Sequence, residues 1–374
     1  MSNYLRTRLG WLTVIALSIL AFGTSAAPLK TKNVFLITTD GMRWQEVFTG
    51  AEEALITKTN GGVADSNALR KTFWRDTPEE RRRALFPFLW SEVATHGQLY
   101  GNQLKGSVAR ITNTNKFSYP GYNEFLTGVA DWHINSNKKI PNSNTNVFEW
   151  LNTRPGFKGR AGAIVNWDVI PWILNTGRSR LPVWSGFPLQ SNAPPPIKVS
   201  ADIQNLMADT TPLWPDMILD TYTMHAALEY VVKARPRAFY LAFAETDEWA
   251  HEIRYDHYLH AAHNVDRFIG RLWETVQRLP QYRGKTTFII TTDHGRGAGG
   301  KAWGSHGENV DGAENIWIAI VGPDTPPLGE RVNCATVTQS QIAATVAASV
   351  GEDFRALNVN AARPIAEAIP VKPK

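Results

Sequence analysis

Apolar and polar positions along this chain follow two periods. Continuous apolar runs predict buried strands over 33–39, 161–166, 238–244, 286–292 and 316–321. Between them, apolar residues recur at helical spacing and predict helices over 85–97, 220–234, 254–279 and 339–350. In the third of these, Leu259, Ala262, Val265, Phe268, Ile269, Leu272 and Val276 make one stripe, and Gly351 is placed to end the fourth. Strands alternating with helices predict an α/β fold with a mostly parallel central sheet and helices on both faces. In such sheets ligands bind beyond the carboxyl ends of the strands.

Two stretches break the pattern. Residues 167–216 are rich in Trp and Pro and lack a period, which predicts an irregular insertion able to cover a site, its Trp residues packing the lid. Residues 363–374 read as a loosely held tail.

Three apolar runs share an ending. VFLITTDG reaches Asp40, AFYLAFAETD reaches Asp247, and TTFIITTDHG reaches Asp293 and His294. His251 follows Asp247 by one helical turn, so both side chains share a face and can grip one ion. His306 sits between Ser305 and Gly307 in a loop that an ion can approach closely. Asp40, Asp247 and Asp293 with His251, His294 and His306 are six donors, enough for two divalent cations. A mixed oxygen and nitrogen set suits zinc, with manganese or iron as alternatives.

A nucleophile is the remaining need. In NKFSYPGYNEFLTG, Ser118 stands at the start of a short helix ending at Thr127-Gly128, where the helix dipole favours an anion. The ordered set Asp40-Gly41, Ser118-Tyr119-Pro120 to Thr127-Gly128, Asp247 to His251, Asp293-His294-Gly295 and Ser305-His306-Gly307 resembles the alkaline phosphatase superfamily. Within it, the set is similar to the nucleotide pyrophosphatase/phosphodiesterase-like branch, over roughly residues 33–310.

The resemblance implies that one metal takes Asp40, Ser118, Asp293 and His294, and the other Asp247, His251 and His306. It also implies an Asn about twenty residues after the nucleophile to hold a phosphate oxygen. Asn135 and Asn137 both fall there, and Asn137 is the candidate catalytic residue. The nucleophile is Ser where that branch usually has Thr. Tyr122 stands where the sulfatases of the superfamily carry Arg.

Lys116, Arg296 and Lys301 lie near these motifs and read as solvated surface charges rather than phosphate ligands. Glu245 and Glu308 are candidates to orient the histidines. His257, His260 and His263 read as residues of a helix face, not ligands.

Composition narrows the setting. At 374 residues, 43% hydrophobic and 20% charged, the chain has enough apolar residues for a real core. Arg6 and Arg8 precede an apolar run from Trp11 to Phe22 and then small residues, the order of a cleavable signal peptide, with the cut expected after Ala26. That leaves 27–374 as one catalytic domain in the periplasm or outside the cell, with no stable membrane association. Removing Arg6 and Arg8 lowers the net charge from +5 to +3, too mild for a nucleic-acid platform. Cys334 is alone, so no internal disulfide forms, and it reads as a small buried apolar residue.

The expected function is hydrolysis of small phosphate mono- or diesters through a phosphoserine on a two-metal site. The alternatives are a sulfatase-like or phosphotransfer enzyme, or a binding protein without turnover. Oligomeric state is not encoded in these patterns.

Overall fold

The computed structural model describes residues 28–369. The expected signal segment and its cut after Ala26 lie outside them. Among the described residues ten strands form: β1 Asn33–Thr39, β2 Gly97–Tyr100, β3 Ala109–Arg110, β4 Ala161–Ile164, β5 Val183–Trp184, β6 Ala238–Phe243, β7 Thr286–Thr292, β8 Ile318–Val321, β9 Gly329–Glu330 and β10 Val337–Thr338. Eight make one sheet in the order β5-β4-β6-β1-β7-β8-β2-β9, and β3 pairs with β10 apart from it. From β5 to β7 every pairing is parallel, while β8 runs antiparallel to both of its neighbours.

Strand alternation divides the core in two. Phe35 and Ile37 of β1, Phe239, Leu241 and Phe243 of β6, and Phe288 and Ile290 of β7 enter one cluster. Helices Asp220–Ala234 and Tyr255–Arg278 cover that face. Val34 and Leu36, Tyr240 and Ile289 point the other way, under helices Ser118–Thr127, Val147–Thr153 and Gln341–Ser349. Burial on both faces explains why these strands read as unbroken apolar runs.

Register positions the acids. Thr39 is paired with Phe243 on one side and Thr292 on the other. Asp40 and Asp293 each follow immediately, so they emerge level from neighbouring strands. Asp247 lies four residues past Phe243, in helix Glu245–His251.

Three expectations need correction. Residues 85–97 are not one helix: Leu85 closes helix Pro78–Leu85, Pro87 interrupts, and a wide turn over Leu89–Val93 leads into Ala94–His96. Segment 167–216 is only partly irregular, since it supplies edge strand β5 and helix Ala201–Asp209. The tail is anchored as far as 369: Ile365, Ala368 and Ile369 are buried, and the Gln98 amide donates to the Glu367 carbonyl at 2.8 Å. Cys334 is half-buried, its thiol 3.4 Å from Ser107 Oγ. Among the described residues, no helix is long and apolar enough to cross a membrane.

Candidate functional site

Helix Ser118–Thr127 is the element that binds the motifs together. A Cβ on Gly121 would stand 2.3 Å from the carbonyl oxygen of Asp293, so only glycine lets the helix lie against the end of β7. One residue on, the Tyr122 hydroxyl donates to Asp40 Oδ2 at 3.1 Å. Ser118 is the first residue of this helix, 4% exposed, and lines a cleft of about 540 Å³ together with Asp40, Asp247 and His251. Lys116 just before it holds a left-handed φ of 53°, an uncommon cost for a side chain other than Gly or Asn.

Asp40, Asp293 and His294 meet at one point. His294 Nε2 lies 3.3 Å from Asp40 Oδ1 and 3.4 Å from Asp293 Oδ2. All three atoms are buried and have no hydrogen-bond partner. Their other atoms are committed: Asp293 Oδ1 accepts from the Gly41 amide at 3.0 Å, and His294 Nδ1 faces the Gly295 carbonyl at 3.0 Å. Native interiors rarely leave three such atoms orphaned together.

The second set is contiguous. His251 Nε2 is 3.1 Å from Asp247 Oδ2 and 3.0 Å from His306 Nε2. His306 Nδ1 faces the Lys116 carbonyl at 3.2 Å, which turns Nε2 inward. Asp247 Oδ1 is 3.7 Å from His294 Nε2 and 3.8 Å from His306 Nε2, so Asp247 and His294 stand at the junction of the two sets.

Burial and mutual charge perturb the cluster. Burial pushes the Asp293 carboxyl up, and Asp40 beside it adds to this. Burial also works against a charged His294, but Asp293 and Asp40 outweigh it and raise it to about 9. His306 is driven strongly down by burial and then by His294, Arg296 and His251. Two buried carboxylates and inward imidazoles fit divalent cations of the zinc or manganese type, which would offset the cost of burying them.

Every sequence-predicted ligand therefore reaches one site. Asn137 lines the same cleft, and its Oδ1 accepts from the Tyr119 amide at 3.0 Å. Asn135 is exposed and does not line the cleft.

The surrounding charges differ from expectation. Arg296 is no surface charge: it is 1% exposed, and it donates to the carbonyls of Gly41 at 3.0 Å and Gly304 at 2.7 Å and to the Asp247 carboxylate. Burial lowers its pKa to about 9. Lys116 is half-buried against Glu314 at 3.0 Å, while Lys301 is exposed. Glu245 accepts from the Asp220 amide at 2.7 Å and Glu308 is exposed, so backbone carbonyls orient His294 and His306 instead. His257 stacks on Trp249, and His260 and His263 pack on Phe73, all as helix-face residues.

A sequence profile of type I phosphodiesterases/nucleotide pyrophosphatases matches residues 62–307. The chain belongs to this family. The match runs through Ser118, Asp247, His251, Asp293, His294 and His306; Asp40 precedes it and is brought beside Asp293 by the pairing of β1 with β7. Solved structures share the fold of the superfamily. Alkaline phosphatase PafA superposes with a TM-score of 0.57 at 11% identity over 92% of this chain and 100% of that one. The phosphonate monoester hydrolase SpPMH from Silicibacter pomeroyi gives 0.52 at 14% identity over 92% and 78%. BT1596, a 2-O GAG sulfatase, gives 0.54 at 12% identity over 90% and 72%. At such identities the likeness concerns the fold alone. No curated protein sequence matches the chain.

Proposed function

We propose that this family member is a metal-dependent phosphoesterase that hydrolyses small phosphate mono- or diesters through a phosphoserine at Ser118. The carrying observation is the convergence of orphaned Asp40 Oδ1, Asp293 Oδ2 and His294 Nε2 beside a buried serine at a helix N-terminus.

Asp40, Asp293, His294 and Ser118 would hold one divalent cation, and Asp247, His251 and His306 the other, zinc suiting the mixed donors best. When bound, the pair supplies charge that favours the serine alkoxide and offsets charge building on the phosphoryl oxygens. Ser118 Oγ, having given its proton to solvent, forms the bond to phosphorus as the bond to the leaving oxygen breaks, and that oxygen takes a proton from solvent. Water then attacks phosphorus from the cleft as the bond to Ser118 Oγ breaks, a proton of that water passes to Ser118 by way of solvent, and phosphate departs from a monoester or a phosphate monoester from a diester. Asn137 contributes its amide N–H groups to a phosphoryl oxygen, its Oδ1 being engaged by Tyr119. Segment 167–216 acts as the lid, and the N-terminal pattern supports export to the periplasm or beyond. A sulfatase would need a basic residue where Tyr122 stands, and the Tyr122 hydroxyl is committed to Asp40.

The test is turnover of p-nitrophenyl phosphate, bis-p-nitrophenyl phosphate and p-nitrophenyl sulfate, with and without chelator. Chelator-sensitive hydrolysis of a phosphate ester is expected, and Ser118→Ala should abolish it while retaining metal. Selective sulfate hydrolysis, or an aldehyde at residue 118 by mass spectrometry, would contradict the proposal.

A further inference from the structure

One side chain near the site holds a costly backbone conformation. Among the described residues other than glycine with a left-handed φ, Ile253, at 52°, is the β-branched one. For a β-branched residue such a φ is a genuine outlier. Glycine or asparagine would turn the chain there at less strain, and what isoleucine adds is the reach of its side chain.

That side chain lies against Gly304. A Cβ on Gly304 would stand 2.3 Å from Ile253 Cδ1 and 2.5 Å from the Ala250 carbonyl oxygen, so the loop before His306 sits directly on the end of helix Glu245–His251. On its other side, a Cβ on Gly62 would stand 1.9 Å from the Ile253 carbonyl oxygen. The turn is closed by the Ile253 amide donating to the Ala250 carbonyl and the Arg254 amide to the Trp249 carbonyl, each at 2.9 Å. Trp303, beside Gly304, donates its indole N–H to the Asn60 carbonyl at 3.0 Å and packs edge-on against Tyr255 and Tyr258. Ile253 is thus clamped between two glycines of distant loops.

The contact has a particular place in the chain. Ile253 follows His251 by two residues, and Gly304 precedes His306 by two. Two short arms leave one point of contact and meet again at the imidazoles, whose Nε2 atoms are 3.0 Å apart. We infer that Ile253 is a positioning residue for the cation assigned to Asp247, His251 and His306: its strained turn and its δ-carbon on Gly304 fix the spacing of the two histidines, and with it the affinity of that site. The inference rests on the two-cation reading above and deepens it by naming a residue outside the donor set.

The experiment titrates the chelator-stripped full chain with zinc by equilibrium dialysis, and with cobalt(II) followed by its visible absorption. Ile253→Asn suits the left-handed φ and removes the apolar reach. It should weaken one of two cations by about tenfold to a hundredfold and leave the other unchanged. Ile253→Leu, which again presents a δ-carbon to Gly304, should restore most of that affinity. In a chain already carrying His251→Ala and His306→Ala, Ile253→Asn should have no effect on the remaining ion. Hydrolysis of p-nitrophenyl phosphate by Ile253→Asn should need correspondingly more zinc for half its maximal rate and then reach the wild-type kcat.

Unchanged zinc affinity in Ile253→Asn overturns the inference. Equal weakening of both ions does so too, since it would mark a general role in folding, as does an Ile253→Leu chain as weak as Ile253→Asn. A wild-type chain that binds no ion gives a different result: it refutes the two-cation reading, and this inference with it.

Discussion

Arg296 holds Asp247 twice, through the carboxylate and through the backbone carbonyl at 3.2 Å, from a position closed to solvent. The same guanidinium reaches Gly41 after β1 and Gly304 before His306. One planar fork thus ties together the ends of β1 and β6 and the loop that follows β7, a geometry that lysine cannot reproduce.

Arg296→Met should leave Asp247 and two buried carbonyls without a donor. The expected cost is about 3–5 kcal/mol of stability, with the cation held by Asp247, His251 and His306 lost first. Arg296→Lys should restore charge but not occupancy. Elemental analysis beside thermal denaturation checks this; full occupancy in Arg296→Met would remove the positioning role.

Gly121 tests the seat of Ser118. Gly121→Ala places a methyl 2.3 Å from the Asp293 carbonyl oxygen, and the helix must shift to relieve it. Ser118 moves with it. A displacement of about 1 Å should lower kcat by roughly 10²-fold, measured on p-nitrophenyl phosphate, with circular dichroism nearly unchanged.

Asn137 is exposed at the cleft edge, so Asn137→Ala should leave the melting temperature and metal content nearly untouched. Loss of a donor aimed at a phosphoryl oxygen should cost about 10²-fold in kcat/KM. An unchanged kcat/KM would return Asn137 to a purely structural role, as a cap on the Tyr119 amide.

How much of this was legible follows the physics of each segment. Runs 33–39 and 286–292 are buried on both faces, so their length and composition gave their limits correctly. The stripe of helix Tyr255–Arg278 reads cleanly because one face packs and the other is solvated. The convergence of Asp40, Asp247, Asp293, His251, His294 and His306 was legible because three apolar core runs each lead to a carboxylate at the same edge of the sheet. Arg296 was not: in a Gly-rich loop an arginine reads as solvated, and only the fold brings four acceptor atoms on three residues to it. The tail reads as loose because its few apolar residues, Ile365, Ala368 and Ile369, carry no period, yet they are buried in the hydrophobic cluster on the sheet's second face. The short strand β5 was hidden because two residues make no pattern.

Asp266 supplies a pH dependence away from the site. It is fully buried and accepts from the amides of Phe88 at 2.7 Å and Leu89 at 2.9 Å. Burial raises its carboxyl from the usual 3.8 to about 7, despite those two donors. The folded protein therefore binds this proton more tightly than the unfolded chain. The stabilisation is complete below about pH 4 and is lost as pH rises through about 7. Asp266→Asn, uncharged throughout, should lose less stability than wild type between pH 5 and pH 8. The difference should be a few kcal/mol at most, read from urea denaturation at both pH values. Parallel pH profiles for the two proteins would show that Asp266 does not titrate in this range.

The central claim is that Asp40, Asp247, Asp293, His251, His294 and His306 form one cation-binding cluster beside Ser118. Its most direct measurement is the metal content of the purified chain, before and after dialysis against chelator and again after readdition of zinc or manganese. The account predicts about two divalent ions per chain, falling with chelator and returning on readdition, and about one when Asp293 and His294 are both replaced by Ala. A chain that holds no metal as purified and takes up none on addition would contradict it.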